Sequence, residues 1–344
     1  MARRALLYFS FGGPDGPDDV LPFMQNVTRK RPVPPERLVE VSRHYQLFGG
    51  RSPINSINLE LIERLRPALA SAGFGLPVYF GNRNWKPYLA EALRQMGEDG
   101  IEEALVFVTS AYGSYSGCRQ YRDDLEEALA DPAAPPLRLH KLRHFYDHPR
   151  FVEPFARGTA DAFGRLAATH GAEAVRVLYS AHSIPTAMAS NSEYLAQLGL
   201  VRDYVNARLA EEIGQEPRWA QVFQSRSGPP SQPWLEPDIS DAMTELHAEG
   251  ARAFVVVPIG FISDHMEVIY DLDTLAASTA QDLGAGFIRV ATPSSSPGFE
   301  DLIVDLVREQ ETQGWSAPSL PMELKPLQQC RAGCCLPGYV PRSL

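Results

Sequence analysis

Val177-Leu178-Tyr179-Ser180-Ala181-His182-Ser183-Ile184-Pro185 is an apolar run that ends in a small, polar, proline-closed turn. The same shape occurs near the start of the chain as Leu7-Tyr8-Phe9-Ser10-Phe11-Gly12-Gly13-Pro14, which sets Phe11 opposite His182. A second pairing sets Val106-Phe107-Val108 through Tyr121 against Val255-Val256-Val257 through Tyr270, with Cys118 opposite Glu267 and Tyr121 opposite Tyr270. Short apolar runs bounded by turn residues read as buried strands. Eight are expected, over 6–10, 78–80, 104–108, 138–141, 175–180, 219–224, 254–257 and 287–290. Between them lie helical patterns, one with Ile54, Ile57, Leu61 and Leu65 on one face, another with Leu89, Leu93 and Met96. Strand–helix alternation predicts an α/β fold with parallel sheets. The internal match predicts two similar halves facing each other across a cleft, where ligands commonly bind.

The boundary is expected near Tyr146-Asp147-His148-Pro149. This gives an N-terminal domain over 1–146 and a second over 147–295. A returning helix follows over 296–315, with Leu302, Ile303, Leu306 and Val307 on one side, and then a cysteine-containing tail over 316–344. The tail is rich in proline and lacks periodicity, so something other than an apolar core must hold it.

The chain has 344 residues, 44% hydrophobic and 22% charged, with a formal net charge of −10. Such acidity argues against nucleic acid or an anionic membrane as the main partner, despite the local cluster Arg29-Lys30-Arg31. The apolar start Ala5-Leu6-Leu7-Tyr8-Phe9 is too short for a signal-peptide core or a membrane span, so a cytoplasmic protein is expected. Cys118 stands alone, while Cys330, Cys334 and Cys335 cluster near the C-terminus. In a cytosolic chain such clustering favours metal over disulfides, the alternative being unligated thiols on a tail.

His182 and Glu267 each follow a strand, where α/β proteins bind ligands. A histidine and a carboxylate converging there suit proton or metal handling. Ser263 is the expected N-cap of the helix that carries Glu267, which leaves Glu267 in the first turn with Asp271 on the same face at i+4 and Asp273 off it. The competing reading is a solvated acidic face beside a structural histidine. Gly12-Gly13-Pro14-Asp15-Gly16 lacks the lysine of a P-loop and the third glycine of a dinucleotide fingerprint, and no Gly-x-Ser-x-Gly elbow is present.

Ser180-Ala181-His182-Ser183-Ile184-Pro185 and Gly260-Phe261-Ile262-Ser263-Asp264-His265-Met266-Glu267, with Tyr270-Asp271, Phe11-Gly12-Gly13-Pro14 and Gly49-Gly50-Arg51-Ser52-Pro53, resemble the ferrochelatases closely. The tail cysteines make the chain most similar to the actinobacterial branch. The resemblance implies a class II chelatase fold of two Rossmann-like domains with a porphyrin between them, and insertion of ferrous iron into coproporphyrin III to give coproheme. It implies His182 and Glu267 at the metallation centre, with Asp271 also on the iron side. It further implies Arg29, Ser52 and Tyr121 at the propionates, and Phe11 packed on the macrocycle. Relatives carry tyrosine or methionine at the position of Phe11, which phenylalanine cannot replace as a ligand. A further acid of some relatives is Leu275 here, and a histidine of some is Asn84. The resemblance also implies a 2Fe–2S cluster on Cys118, Cys330, Cys334 and Cys335, a monomer, and a downstream coproheme decarboxylase as partner. A cobalt chelatase of corrin biosynthesis and a non-enzymatic haem or tetrapyrrole carrier stay open as alternatives.

Overall fold

The computed structural model describes residues 3–29, 33–229, 231–328 and 333–337. All eight expected strands form, as β1 (Arg4–Ser10), β2 (Val78–Asn82), β3 (Glu103–Val108), β4 (Arg138–Lys141), β5 (Val175–His182), β6 (Trp219–Gln224), β7 (Ala253–Val257) and β8 (Gly286–Arg289). They make two four-stranded sheets, ordered β2-β1-β3-β4 and β6-β5-β7-β8, and every pairing is parallel. The two orders are the same path repeated. β1 corresponds to β5 and β3 to β7, as the internal sequence match requires. The central strands β1, β5 and β7 are buried almost throughout, which is why they read as unbroken apolar runs.

Helices cover both faces. In chain order they are α1 (Val20–Val27), α2 (Pro35–Gln46), α3 (Ile54–Ser71), α4 (Leu89–Glu98), α5 (Gln120–Ala130), α6 (Pro149–His170), α7 (Thr186–Ser190), α8 (Tyr194–Ile213), α9 (Ile239–Ala248), α10 (Met266–Val268), α11 (Ala277–Asp282) and α12 (Phe299–Glu311). The long α6 starts on Pro149, whose missing N–H costs nothing at a first helical position, after the His148 ring has accepted from Arg150 N at 3.2 Å. It ends at Gly171, where φ of 81° suits only glycine. No helix among the described residues is long and apolar enough to cross a membrane.

One apolar core runs through both halves. It joins Tyr8 and Phe107 of the first sheet, Tyr179 and Val255 of the second, and Phe299 through Val307 of α12. α12 returns to pack on α3, and charged contacts fix it there. Arg64 Nε meets Glu300 at 3.1 Å, and Arg143 Nε meets Glu309 at 2.7 Å while its Nη1 meets Asp147 at 2.9 Å. Arg143 is buried, so losing it strands two acids away from water. Arg143→Met is expected to lower unfolding stability by about 3 kcal/mol, the scale for breaking one side of a buried ion pair. A chemical-denaturation midpoint within experimental error of the wild type would contradict this.

Candidate active site

A cavity of about 720 Å³ opens between the strand ends of the two halves. Phe11, Arg29, Ser52 and Tyr121 line it from the first half, and His182, Glu267 and Asp271 from the second. All seven non-cysteine residues singled out from the sequence therefore meet in one space. Cys118 does not face it. Cys118 is buried, with Sγ 3.0 Å from His144 Nε2.

His182 closes β5. Its Nδ1 lies 2.5 Å from the Ser183 carbonyl, which can only accept, so Nδ1 carries a proton and Nε2 is left toward the cavity. Glu267 reaches this nitrogen, with Oε2 3.4 Å from Nε2. The approach depends on Gly260. A Cβ there would stand 2.7 Å from the Cα of Ala181, so only glycine lets the loop after β7 lie against the end of β5.

Burial by itself would push His182 down, but the Glu267 carboxylate, its hydrogen bond and the Ser183 carbonyl outweigh it and hold the imidazole above its ordinary value. Burial would likewise raise Glu267, and the His182 charge reverses this and brings its carboxyl to about 2. Both side chains still touch the cleft, 31% and 49% exposed, so water screens the pair. Its stabilisation is present above the ordinary carboxylate range and fades as pH falls toward about 2, and it fades again as pH rises through the raised histidine value.

Sequence spacing put the N-cap of this segment at Ser263, and the structure corrects that. Ser263 Oγ is taken by Ser294 Oγ at 2.8 Å. The cap is His265, whose Nδ1 accepts from Glu267 N at 3.2 Å. His265 thus keeps a neutral Nε2–H, in keeping with a value lowered mainly by burial. α10 runs on into a π-helix over Ile269–Ala276. Arg289 holds this stretch from behind, with Nη2 3.0 Å from Asp264 and Nε 2.5 Å from Asp273, which is why Asp273 lies off the cavity.

Asp271 donates nothing to that clamp; it accepts a very short hydrogen bond from Ser225 Oγ. Burial, countered by Ser225 and reinforced by the Glu267 charge, raises its carboxyl to about 6. Asp271 therefore gains the negative charge that a cation would need only as pH rises through about 6. Divalent-cation binding followed against pH is expected to rise near that value and to lose the rise in Asp271→Asn; an unchanged rise in the variant would assign it elsewhere.

On the opposite wall Arg29 donates to Asn84 Oδ1 at 2.8 Å. Arg83 pairs with buried Asp124 at 2.6 Å and lies over the Tyr121 ring at 4.5 Å. A helical hairpin of α1 and α2 completes the enclosure. Its Phe23, Met24 and Tyr45 pack with Met266 of the second half, and His44 stacks on Tyr270 at 4.1 Å. His265, Arg83 and Tyr45 were not singled out from the sequence. The first two sit just past strands, so the strand-end rule that found His182 could have found them; nothing local marks Tyr45.

The tail returns to the body near Cys118. The Cys334 carbonyl lies 3.5 Å from Arg119 Nη1, and the Cys335 thiol sits beside Gly113. Cys330 lies outside the described residues. Among the described residues no three His, Cys, Asp or Glu side chains are grouped to hold a metal ion.

The Ferrochelatase family model matches residues 3–311. A coproporphyrin III ferrochelatase of Streptomyces coelicolor is 47% identical over 98% of this chain and 94% of its own. One from Mycolicibacterium smegmatis is 48% identical over 90% of each. A ferrochelatase of Rhodopirellula baltica is 44% identical over 98% of this chain and 94% of its own. Among solved structures, SirB from Bacillus subtilis aligns over 90% of this chain and 96% of its own at 12% identity with a TM-score of 0.49, a likeness too distant to add to the fold described above.

Proposed function

The chain belongs to the ferrochelatase family, and from that premise we propose that it inserts ferrous iron into coproporphyrin III to give coproheme. The observation that supports this best is the His182–Glu267 pair, 3.4 Å apart on one wall of a mostly apolar cavity large enough for a macrocycle. Insertion breaks two pyrrole N–H bonds and forms iron–nitrogen bonds, so two protons must leave and one dication must arrive. His182 in its neutral form offers Nε2 to a pyrrole proton or to the iron. Glu267, ionised over the whole physiological range, offers charge to the cation and a second proton acceptor. Asp271 lies beside Glu267 as a further carboxylate for the metal on its way in.

The propionates are assigned to Arg29, Ser52 and Tyr121, whose guanidinium and hydroxyl donors suit carboxylates. Phe11, on the cavity wall and 36% exposed, offers its ring to the macrocycle. An anaerobic assay of iron and cobalt with coproporphyrin, protoporphyrin and sirohydrochlorin tests the reading. Iron into coproporphyrin is expected to be fastest. Faster cobalt insertion into sirohydrochlorin would favour the corrin reading, and tight haem binding without turnover would favour a carrier. A coproheme decarboxylase is the downstream partner this reading implies.

We also propose that Cys118, Cys330, Cys334 and Cys335 hold a 2Fe–2S cluster. The return of Cys334 and Cys335 to the segment around Cys118 supports the donor set, and four thiolates suit such a cluster. When bound it would tie the tail to the body. Anaerobically purified protein is expected to show the visible charge-transfer bands of the cluster and to lose them in Cys330→Ser; colourless, iron-free wild type would refute it.

A further inference from the structure

We infer that Gln224 is a positioning residue that sets the separation of His182 and Glu267. Gln224 ends β6 and is the register partner of His182. It is 1% exposed and uses its side chain in two directions. Oε1 accepts from Ser180 Oγ at 2.7 Å, and Nε2 donates to the main-chain carbonyl of Glu267 at 3.1 Å. Its own carbonyl accepts from Ser183 N at 2.8 Å. Gln224 therefore grips β5 two residues before His182 and one after it, and holds Glu267 with the donor that remains.

The direction of the amide is fixed by chemistry. The Glu267 carbonyl can only accept, so the nitrogen must face it, and the oxygen is then left for the serine hydroxyl. Neither β5 nor the segment after β7 could set this distance alone. They are joined at Gly260, where the loop rests against Ala181 without a side chain to space it. Gln224 supplies that spacing.

The role follows from the proposed metallation chemistry, and two variants separate it from a packing role. Gln224→Met keeps the length and removes both hydrogen bonds. Gln224→Glu keeps the acceptor for Ser180 and removes only the donor to Glu267. A misplacement of about 1 Å in a reacting group can cost about 10²-fold. Gln224→Met is thus expected to lose about that factor in kcat, with Gln224→Glu also well below the wild type and with KM for coproporphyrin within about twofold in both. Crystal structures of the variants are expected to show Glu267 displaced, or in two positions, with its carboxylate beyond 3.4 Å from His182. Should Gln224→Met fail to fold, Gln224→Glu decides. Wild-type kcat in Gln224→Glu, or an unchanged His182–Glu267 distance in its crystal structure, would overturn the proposal. A wild-type protein that metallates no porphyrin would refute the activity instead, and the distance would still decide the role of Gln224.

Discussion

Replacing His182 with alanine is expected to lower kcat for coproporphyrin metallation by about 10³-fold, within the range for losing a positioned general base. The expectation rests on one tautomer. The Ser183 carbonyl takes the Nδ1 proton, and Nε2 is left as the one ring nitrogen facing the cavity. His265 cannot take its place, because it commits its Nδ1 lone pair to Glu267 N and presents an N–H instead. The variant should still bind porphyrin, because the proposed propionate contacts lie on the opposite wall. Quenching of porphyrin fluorescence would measure that binding separately from turnover. Fold stability should change by less than about 1 kcal/mol from the lost ion pair, since both partners touch water. The Glu267 carboxyl, freed of the imidazolium that depresses it, should move up from about 2.

The second large effect is expected at Glu267. Glu267→Gln keeps the shape and removes the charge, so the loss should fall on the metal. We expect kcat/KM for ferrous iron to drop about 10²-fold, the low end for a positioned acid–base group, with KM for the porphyrin nearly unchanged. His182 should titrate lower in this variant, because burial then acts on it without the opposing carboxylate. The order of the acids is informative as well. Asp271→Asn should cost less than Glu267→Gln and act chiefly above pH 6, where Asp271 is ionised in the wild type and the amide cannot be. Equal losses in the two variants would mean that the carboxylates act as one unit.

The strands were legible because a parallel strand buried on both faces must be apolar along its whole length. β7 is apolar throughout, and β5 interrupts its apolar run only with Arg176, Tyr179 and Ser180, so His182 stood out where the run ended. The repeated sheet order was foreshadowed by the alignment of 7–14 with 178–185. The local conformation around Glu267 was not legible. A three-residue helix passing into a π-helix has no 3.6-residue period to detect, and a histidine ring took the capping role that serine usually fills. Gln224 was hidden for a different reason. Its importance lies in bonds to Ser180 and Glu267, which are 44 and 43 residues away in sequence and on either side of it. The hairpin of α1 and α2 was unread because its apolar side is satisfied partly by Met266, across the cleft.

The most direct test is anaerobic incorporation of ferrous iron into coproporphyrin III by the wild type and His182→Ala side by side, with porphyrin binding measured in both. The wild type should turn over many equivalents while the variant binds the porphyrin and leaves it metal-free. Equal turnover by the variant, or a wild type that binds coproporphyrin and metallates it no faster than the spontaneous reaction, would contradict the account.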